Sequence, residues 1–373
     1  MKLARRGWGW AAACMLLWVA MPAARAGGMR DDIVKVEKSR GLFGVKLTAR
    51  VYAPLGDGPF PLVVINHGKA SGNPAFQKDR GYYFQAREFV KRGYAVLVPT
   101  RQGFGSSGGV YRDGGCDIPE TGRLQADDIE AAIAYAKTLP FVDAQRIVVI
   151  GQSQGGLATM ALGERNLPGV LGLINMAGGM RRDSCNGWER SDVDAYAQYG
   201  AKSKAPALWM YGDNDSYWGQ TLPKSMYDAY VGAGAAAQWV DYGTFGRDSH
   251  QTFASRDGMP LWLPVYARFF TSLGLPFDVR GSLRSPGDGP DVENVDAVPL
   301  AGSHARALYE AFLGADPRAH RAFAVSASGH CGFATGDDAA RQALAYCAEH
   351  TRGACVLYAV DERVVYQQAD SKE

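Results

Sequence analysis

Short apolar runs alternate with segments of helical periodicity from residue 33 to about residue 275. Apolar, β-branched runs bounded by glycine or proline predict strands over residues 45–54, 62–66, 94–99, 147–150, 170–174 and 206–211. Apolar positions at helical spacing predict helices over residues 76–92 and 124–138. Strands that alternate with helices indicate an α/β fold, in which helices cover both faces of a mostly parallel central sheet.

This rhythm stops at residues 276–300, which are rich in proline, glycine and aspartate and predict a linker. Beyond it we expect a helix over 301–313, a hairpin over 322–335, a helix over 339–350 and a strand over 355–360. The chain therefore divides into a main domain over residues 27–275, the linker, and a small Cys-containing α+β accessory domain over residues 301–373.

The first 26 residues have the pattern of a signal peptide. Lys2, Arg5 and Arg6 precede twelve apolar residues at positions 10–21, and Ala24-Arg25-Ala26 has the small-x-small form of a cleavage site. Twelve residues are too few for a membrane span, which needs about 20. We predict cleavage near Ala26 and a secreted or periplasmic protein, with twin-arginine export and lipoprotein processing as open alternatives.

Charge and cysteine content change once this segment is removed. Four of the 40 basic residues and none of the 38 acidic ones lie within it, so the formal charge falls from +2 to about −2. Without a Lys/Arg block, nucleic acid and anionic membranes are unexpected partners. Export permits disulfides. A Cys347–Cys355 bridge is expected, Cys116 and Cys185 are either paired or two separate thiols, and Cys331 is left over.

The motif G-x-S-x-G occurs twice, around Ser107 and around Ser153. Ser107 follows a loop and leads into more glycines, so no helix receives it. Ser153 follows the β-branched run at 147–150 and precedes the helix-favouring segment 157–165. Strand, sharp turn and helix form the context of a nucleophile elbow, in which the helix N-terminus favours the negative charge that develops beside the serine. We therefore predict Ser153 as the nucleophile.

A serine hydroxyl needs an adjacent base, which is in turn oriented by an acid. His250 follows Ser153 in the chain and is the predicted base. The acid is predicted at Asp215, in the loop after the strand at 206–211, while Asp213 is expected to support that turn through side-chain to backbone hydrogen bonds. Asp241 and Asp248 are more distant candidates for the acid.

The tetrahedral intermediate also needs donors for its oxyanion. The backbone N–H of Gln154, directly after the nucleophile, is the first predicted donor. His67 lies at the end of an early strand, and the N–H of Lys69, two residues later, is the second. We assign no catalytic role to the Lys69 side chain, which we expect to be solvated. The remaining histidines are too scattered along the chain for a metal site.

Five segments together resemble the α/β-hydrolase superfamily, and most closely its dienelactone-hydrolase-like and serine-aminopeptidase-like esterases: residues 66–68, 101–108, 151–156, 212–215 and 250–253. The resemblance implies a Ser-His-Asp hydrolase without a cofactor. Dienelactone hydrolases proper carry a cysteine nucleophile where this chain has Ser153, which argues against lactone specificity. The C-terminal region resembles a small accessory domain found on exported bacterial hydrolases.

These features predict an exported serine hydrolase that cleaves a carboxylic ester of a small acyl substrate through an acyl-enzyme. A peptidase or acyltransferase with the same triad is the first alternative. The second is a non-catalytic binding protein on a hydrolase scaffold. In either case residues 301–373 are candidates for contact with the cell envelope or with a protein.

Overall fold

The computed structural model describes residues 29–39, 44–280, 292, 295–315, 319–361 and 363–366. The predicted signal peptide and most of the predicted linker lie outside these residues. Within the described part of the chain, no helix is both long enough and apolar enough to cross a membrane.

The main domain is built on one eight-stranded sheet. Its strands are β1 (Met29–Glu37), β2 (Lys46–Pro54), β3 (Phe60–Asn66), β4 (Ala95–Thr100), β5 (Val142–Gln152), β6 (Val170–Met176), β7 (Ala207–Tyr211) and β8 (Ala237–Asp241). Their order in the sheet is β1-β2-β4-β3-β5-β6-β7-β8. β2 runs antiparallel to both of its neighbours and the other pairs are parallel. The mostly parallel sheet predicted from the sequence is confirmed.

Six helices cover the two faces of this sheet. They are α1 (Tyr83–Lys91), α2 (Ile118–Ala136), α3 (Gln154–Gly163), α4 (Trp188–Gly200), α5 (Leu222–Gly232) and α6 (Met259–Ser272). Because successive strand residues point to opposite faces, Ile147 and Val149 of β5 join the core under α2–α5. Val148 and Ile150 join the core under α1 and α6. Burial on both faces explains why the central strands are continuous apolar runs.

Several parts of the main domain differ from the sequence-based prediction: α2 and β5 begin earlier than expected, and α4 was not predicted. β1 was not predicted, because its polar residues obscure a strand whose partner is β2 along its full length. The helix predicted over 76–92 begins only at Tyr83, after a 3-10 turn (Pro74–Phe76) capped by Asn73. The intervening polar segment has no apolar face to bury, and Gln77 instead exchanges hydrogen bonds with the backbone of Ala70.

The C-terminal region forms a separate, antiparallel four-stranded sheet with one helix on each face. Its elements are α7 (Gly302–Gly314), β9 (Arg321–Ser326), β10 (Cys331–Thr335), α8 (Ala339–Glu349), β11 (Cys355–Val360) and β12 (Arg363–Val364), with strand order β10-β9-β11-β12. The predicted small α+β domain is confirmed. Val292 and Val298, which the prediction assigned to the linker, pack into its core.

Two disulfides connect cysteines of the predicted pairs. Cys116–Cys185 joins the loop after β4 to the loop after β6, and Cys347–Cys355 joins α8 to β11. The expected Cys347–Cys355 bridge is therefore confirmed, and of the two alternatives for Cys116 and Cys185 the structure has the disulfide. Among the cysteines that the structure describes, Cys331 is the free one, and it is buried in the core of the accessory domain.

Candidate active site

Ser153 lies on a sharp turn between β5 and α3, at φ 55° and ψ −126°. A non-glycine residue adopts such angles only where its surroundings impose them. Here the turn needs glycine on both sides: a Cβ on Gly151 would stand 2.0 Å from the carbonyl oxygen of Gly155, and one on Gly155 would stand 2.3 Å from that of Asn66. The strand–turn–helix context predicted for Ser153 is confirmed.

The second serine with the same motif has a different environment. The Ser107 hydroxyl donates to the carbonyl of Thr100 at 2.6 Å and accepts the N–H of Thr48 at 2.8 Å. It lies in the loop between β4 and α2, well before the N-terminus of that helix, and its hydroxyl ties the loop to β2. Ser107 is thus a structural serine.

His250 and Asp215 form a buried hydrogen-bonded pair. Nδ1 of His250 lies 2.9 Å from Oδ2 of Asp215, whose side chain is fully buried. The other carboxylate oxygen, Oδ1, accepts the N–H groups of Tyr217 at 2.9 Å and Trp218 at 3.3 Å. Both carboxylate oxygens are therefore occupied, and the Asp215 carboxylate is held in one orientation toward the imidazole ring.

Two further residues, Asp248 and Gln152, position the histidine, and their role was not predicted from the sequence. Asp248 caps the 3-10 turn Ser249–Gln251 and accepts the N–H of His250 at 3.0 Å and of Ser216 at 3.1 Å. Burial opposes its charge, but these bonds and the Ser216 hydroxyl lower the pKa of Asp248. An aspartate two residues before His250 is a capping signal that the sequence does contain.

The residue before the nucleophile also contacts the histidine loop. Nε2 of Gln152 donates to the carbonyl of His250 at 3.0 Å, while its Oε1 accepts the hydroxyl of Tyr82 at 2.7 Å. Tyr217 stacks on the imidazole with ring centroids 4.3 Å apart. The histidine is therefore fixed from the backbone, from the ring face and from Nδ1.

Other acids near the site do not contact the imidazole. Asp213 is exposed, and its side chain makes no hydrogen bond to any described residue, so its predicted role in supporting the turn is wrong. Asn214 has that role instead, accepting the N–H of Phe245 at 3.0 Å. Asp241 accepts the N–H of Gly243 at 2.8 Å. The structure thus brings Asp215, rather than these neighbours, to His250.

The end of β3 lies directly against the nucleophile. A Cβ on Gly68 would stand 2.9 Å from Cβ of Ser153 and 3.4 Å from its Oγ, so Gly68 and the following Lys69 border the serine closely. Gln154 is the first residue of α3. The two N–H groups predicted as oxyanion donors therefore belong to segments on either side of Ser153. The Lys69 ammonium donates to the carbonyls of Ala70 and Gly72, both at 3.2 Å.

A buried arginine holds the end of β3 in place. Nη1 of Arg101 donates to the carbonyl of His67 at 2.5 Å, and its backbone N–H donates to Nε2 of the His67 ring at 3.1 Å. Burial, followed by the charge of Arg101, lowers the pKa of His67 well below its usual value. Burial also lowers the pKa of Arg101 to about 10. His67 is thus a neutral, structural residue.

Ser153 faces two cavities. A small one of about 90 Å³ is shared by Ser153, His250, Lys69 and Tyr217. A larger one of about 350 Å³ lies between Ser153 and the loops joined by the Cys116–Cys185 disulfide. No group of three or more His, Cys, Asp or Glu side chains suited to a metal ion occurs among the residues that the structure describes.

The sheet order, the serine on the turn after β5 and the acid and histidine on later loops together define an α/β-hydrolase. All of these groups lie at the carboxyl ends of parallel strands, where ligands bind in open α/β sheets. The class of the fold is therefore established by topology and by the geometry of the site.

Comparison with known proteins agrees with this class. The family profile of X-Pro dipeptidyl-peptidase (S15 family) matches residues 44–183. The quorum-quenching protein AidA of Acinetobacter baumannii is 38% identical over 120 residues, which make up 31% of this chain and 36% of that protein. The chain therefore spans little more than a third of that relative.

Two further proteins extend the comparison. A Methylorubrum extorquens protein with the provisional name carboxymethylenebutenolidase is 26% identical over 238 residues, covering 62% of this chain and 76% of its own. The acetyl xylan esterase from Paenibacillus sp. R4 is 18% identical, with a TM-score of 0.47 and coverage of 66% of this chain and 89% of that structure. The chain has an α/β-hydrolase fold, and the family profile and relatives that it matches support a hydrolase.

Proposed function

We propose that this chain is an exported serine hydrolase that cleaves carboxylic esters through an acyl-enzyme. Ser153 Oγ attacks the ester carbonyl and passes its proton to His250, which then protonates the departing alkoxide. The carbonyl oxygen is stabilised by the N–H groups of Gln154 and Lys69 while it carries negative charge. Water, deprotonated by His250, releases the acid and regenerates the serine.

The observation that carries this proposal is that a strained serine and an oriented histidine line one cavity. Ser153 and His250 line the same cavity, and the Nδ1 of that histidine is 2.9 Å from a fully buried carboxylate. Asp215 would stabilise the imidazolium that forms during attack and keep Nε2 unprotonated beforehand. A packing role alone would not require both oxygens of Asp215 to be occupied by directed hydrogen bonds.

Covalent labelling tests the proposed nucleophile. A fluorophosphonate probe should modify the wild type and fail to modify Ser153→Ala. Ser107→Ala is the matched control, because it removes the same residue from the same motif at a site where the hydroxyl has a structural role. Labelling that survives in Ser153→Ala would place the reactive nucleophile elsewhere, and an absence of labelling in a folded wild type would favour the binding-protein alternative.

Substrate panels separate ester from amide hydrolysis. The match to the X-Pro dipeptidyl-peptidase family profile favours a peptidase as the second candidate. We expect turnover of 4-nitrophenyl esters of short acids, and no comparable turnover of Xaa-Pro 4-nitroanilides. A higher kcat/KM on the anilides than on the esters would replace our proposal with the peptidase.

Export is part of the same proposal. The two disulfides are compatible with an oxidising compartment, where such bonds form and persist. Intact mass and N-terminal sequencing of the protein from a bacterial periplasmic fraction should give a chain that starts after Ala26. A full-length chain in the cytoplasmic fraction would contradict export. A cell-envelope or protein contact through residues 301–373 stays a prediction.

A further inference from the structure

The small cavity beside Ser153 is continuous with a wider groove that reaches the accessory domain. The groove has a volume of about 520 Å³ and shares six lining residues with the cavity, among them Lys78, Arg80 and Tyr82. Its far wall is formed by Gly314 and Ala315, at the end of α7. We call this space the distal groove.

The lining of the distal groove has more basic than acidic side chains, namely Arg50, Lys78 and Arg80 against Asp79. Lys78 and Arg80 are exposed, and no described carboxylate lies within ion-pair distance of either. The acid between them, Asp79, is engaged by the Ser106 N–H at 3.0 Å and by the Ser106 hydroxyl. Arg50, which also lines the groove, is paired with Asp31 at 2.5 Å.

Basic side chains also line the cavity beside the nucleophile. The cavity beside Ser153 is lined by Lys69, Lys78 and Arg80 and by no aspartate or glutamate. The charge of Arg80 is one of the influences that lower the pKa of buried His67, after burial and Arg101, so its field reaches the end of β3. Like charges held close together repel each other, and a bound anion relieves that repulsion.

The wall of the groove also has an apolar part. Tyr83 and Phe84, from the first turn of α1, line it and are only partly buried. Aromatic surface beside uncompensated cations suits a ligand with a hydrocarbon or ring portion that ends in an acid group. The volume, the charge and the aromatic surface of the groove therefore all suit a ligand of this kind.

We propose that the distal groove binds the anionic, extended part of the ester substrate. The substrate would carry a carboxylate several bonds from the scissile ester, with Lys78 and Arg80 as its ion-pair partners and the accessory domain as the far wall. This inference rests on the proposed function, because it names the substrate class of the same site. It predicts a preference for charged esters over neutral esters of equal size.

Matched substrate pairs test this preference. On the acyl side, 4-nitrophenyl hydrogen adipate is compared with 4-nitrophenyl hexanoate. On the leaving-group side, 4-carboxyphenyl butyrate is compared with 4-acetylphenyl butyrate. We expect the anionic member of at least one pair to have a kcat/KM about five- to tenfold higher, the effect of two partly exposed ion pairs. The advantage should shrink in 0.5 M NaCl because salt screens exposed charges (Debye length roughly 4 Å).

Two variants assign the preference to the groove. In the double variant Lys78→Gln/Arg80→Gln, the kcat/KM for the anionic ester should become about equal to that for the neutral ester. Lys204→Gln is the control for loss of a remote positive charge and should keep the ratio, because Lys204 is exposed before the amino end of β7, opposite the carboxyl strand ends that carry the site. Ala315→Phe narrows the far wall and should reduce turnover of the longer adipate ester more than that of an acetate ester.

The outcomes distinguish the inference from the proposed function. Equal kcat/KM within both pairs, or a preference that persists in the double variant, overturns the inference while ester hydrolysis stands. Ester turnover that is unaffected by Ser153→Ala overturns the proposed function itself. A preference that is lost in the double variant and kept in Lys204→Gln supports the distal groove as the anionic subsite.

Discussion

Asparagine at position 215 should preserve the shape of the site while moving a proton on His250 to the wrong nitrogen. Oδ1 of Asp215 accepts two backbone N–H groups, from Tyr217 and Trp218, and only an oxygen can replace it there. The amide NH2 of the variant would then face Nδ1 of His250. Nδ1 would have to accept, so the ring proton would move to Nε2 and the imidazole would cease to be a base.

The magnitude follows from the bonds that hold the side chain. An inverted amide would restore the correct tautomer but would lose both backbone hydrogen bonds, at about 1–2 kcal/mol each. The productive form is thereby disfavoured by about 2–4 kcal/mol, a factor of roughly 30 to 1,000. Loss of the carboxylate charge, which stabilises the imidazolium, lowers activity further. We expect kcat to fall by about 10³–10⁴ in Asp215→Asn.

The assay compares kcat on 4-nitrophenyl butyrate for the wild type, Asp215→Asn and Asp213→Asn. Asp213 is the matched control, because it is the same residue type two positions earlier but is exposed, without a side-chain hydrogen bond among the described residues. Thermal melting verifies that each variant is folded. The reasoning fails if Asp215→Asn retains more than a tenth of wild-type kcat, or if Asp213→Asn loses as much.

Three further changes have defined outcomes. Gly68→Ala places a Cβ 2.9 Å from that of Ser153, so kcat should fall about 100-fold with an unchanged melting temperature; an active variant would exclude this contact from the oxyanion site. Replacing Cys116 and Cys185 by serine opens a loop of 69 residues and should cost about 4 kcal/mol in urea unfolding. Burial raises the pKa of Asp192 far above its usual value, so the folded state keeps a proton that the unfolded state releases above about pH 4. The free energy of unfolding should therefore fall by about 1.4 kcal/mol per pH unit between about pH 4 and the pKa of Asp192 in the folded protein. Asp192→Asn should remove that slope, and an equal slope in both proteins would contradict the prediction.

The sequence predicted those parts of the fold whose causes are local or periodic. The apolar runs of β3 and β5 are buried on both faces and were visible as runs, whereas β1 is a strand because β2 offers it an edge. The segment between Phe76 and Tyr83 has helical spacing but no apolar face to bury, so tertiary hydrogen bonds with Ala70 decide its conformation. That segment also lines the distal groove, so the groove was not predictable from periodicity.

The two serines with one motif show how much of a site is carried by context. Ser107 and Ser153 have the same flanking glycines at the same spacing, yet the Ser107 hydroxyl ties a loop to β2 and Ser153 occupies a strained turn at the start of a helix. Chain order pointed to His250, and the G-x-x-D form of the loop after the strand at 206–211 pointed to Asp215; their 2.9 Å contact agrees with both predictions. Gln152 and Asp248 both hold the histidine backbone. Asp248 has a local signal as a capping residue, whereas the role of Gln152 depends on which backbone groups the fold leaves within its reach. A nucleophile is therefore easier to find from sequence than the residues that make its base effective. Variants of Gln152 and Asp248 should lower kcat and also slow fluorophosphonate labelling of Ser153, because both reactions need a serine activated by His250.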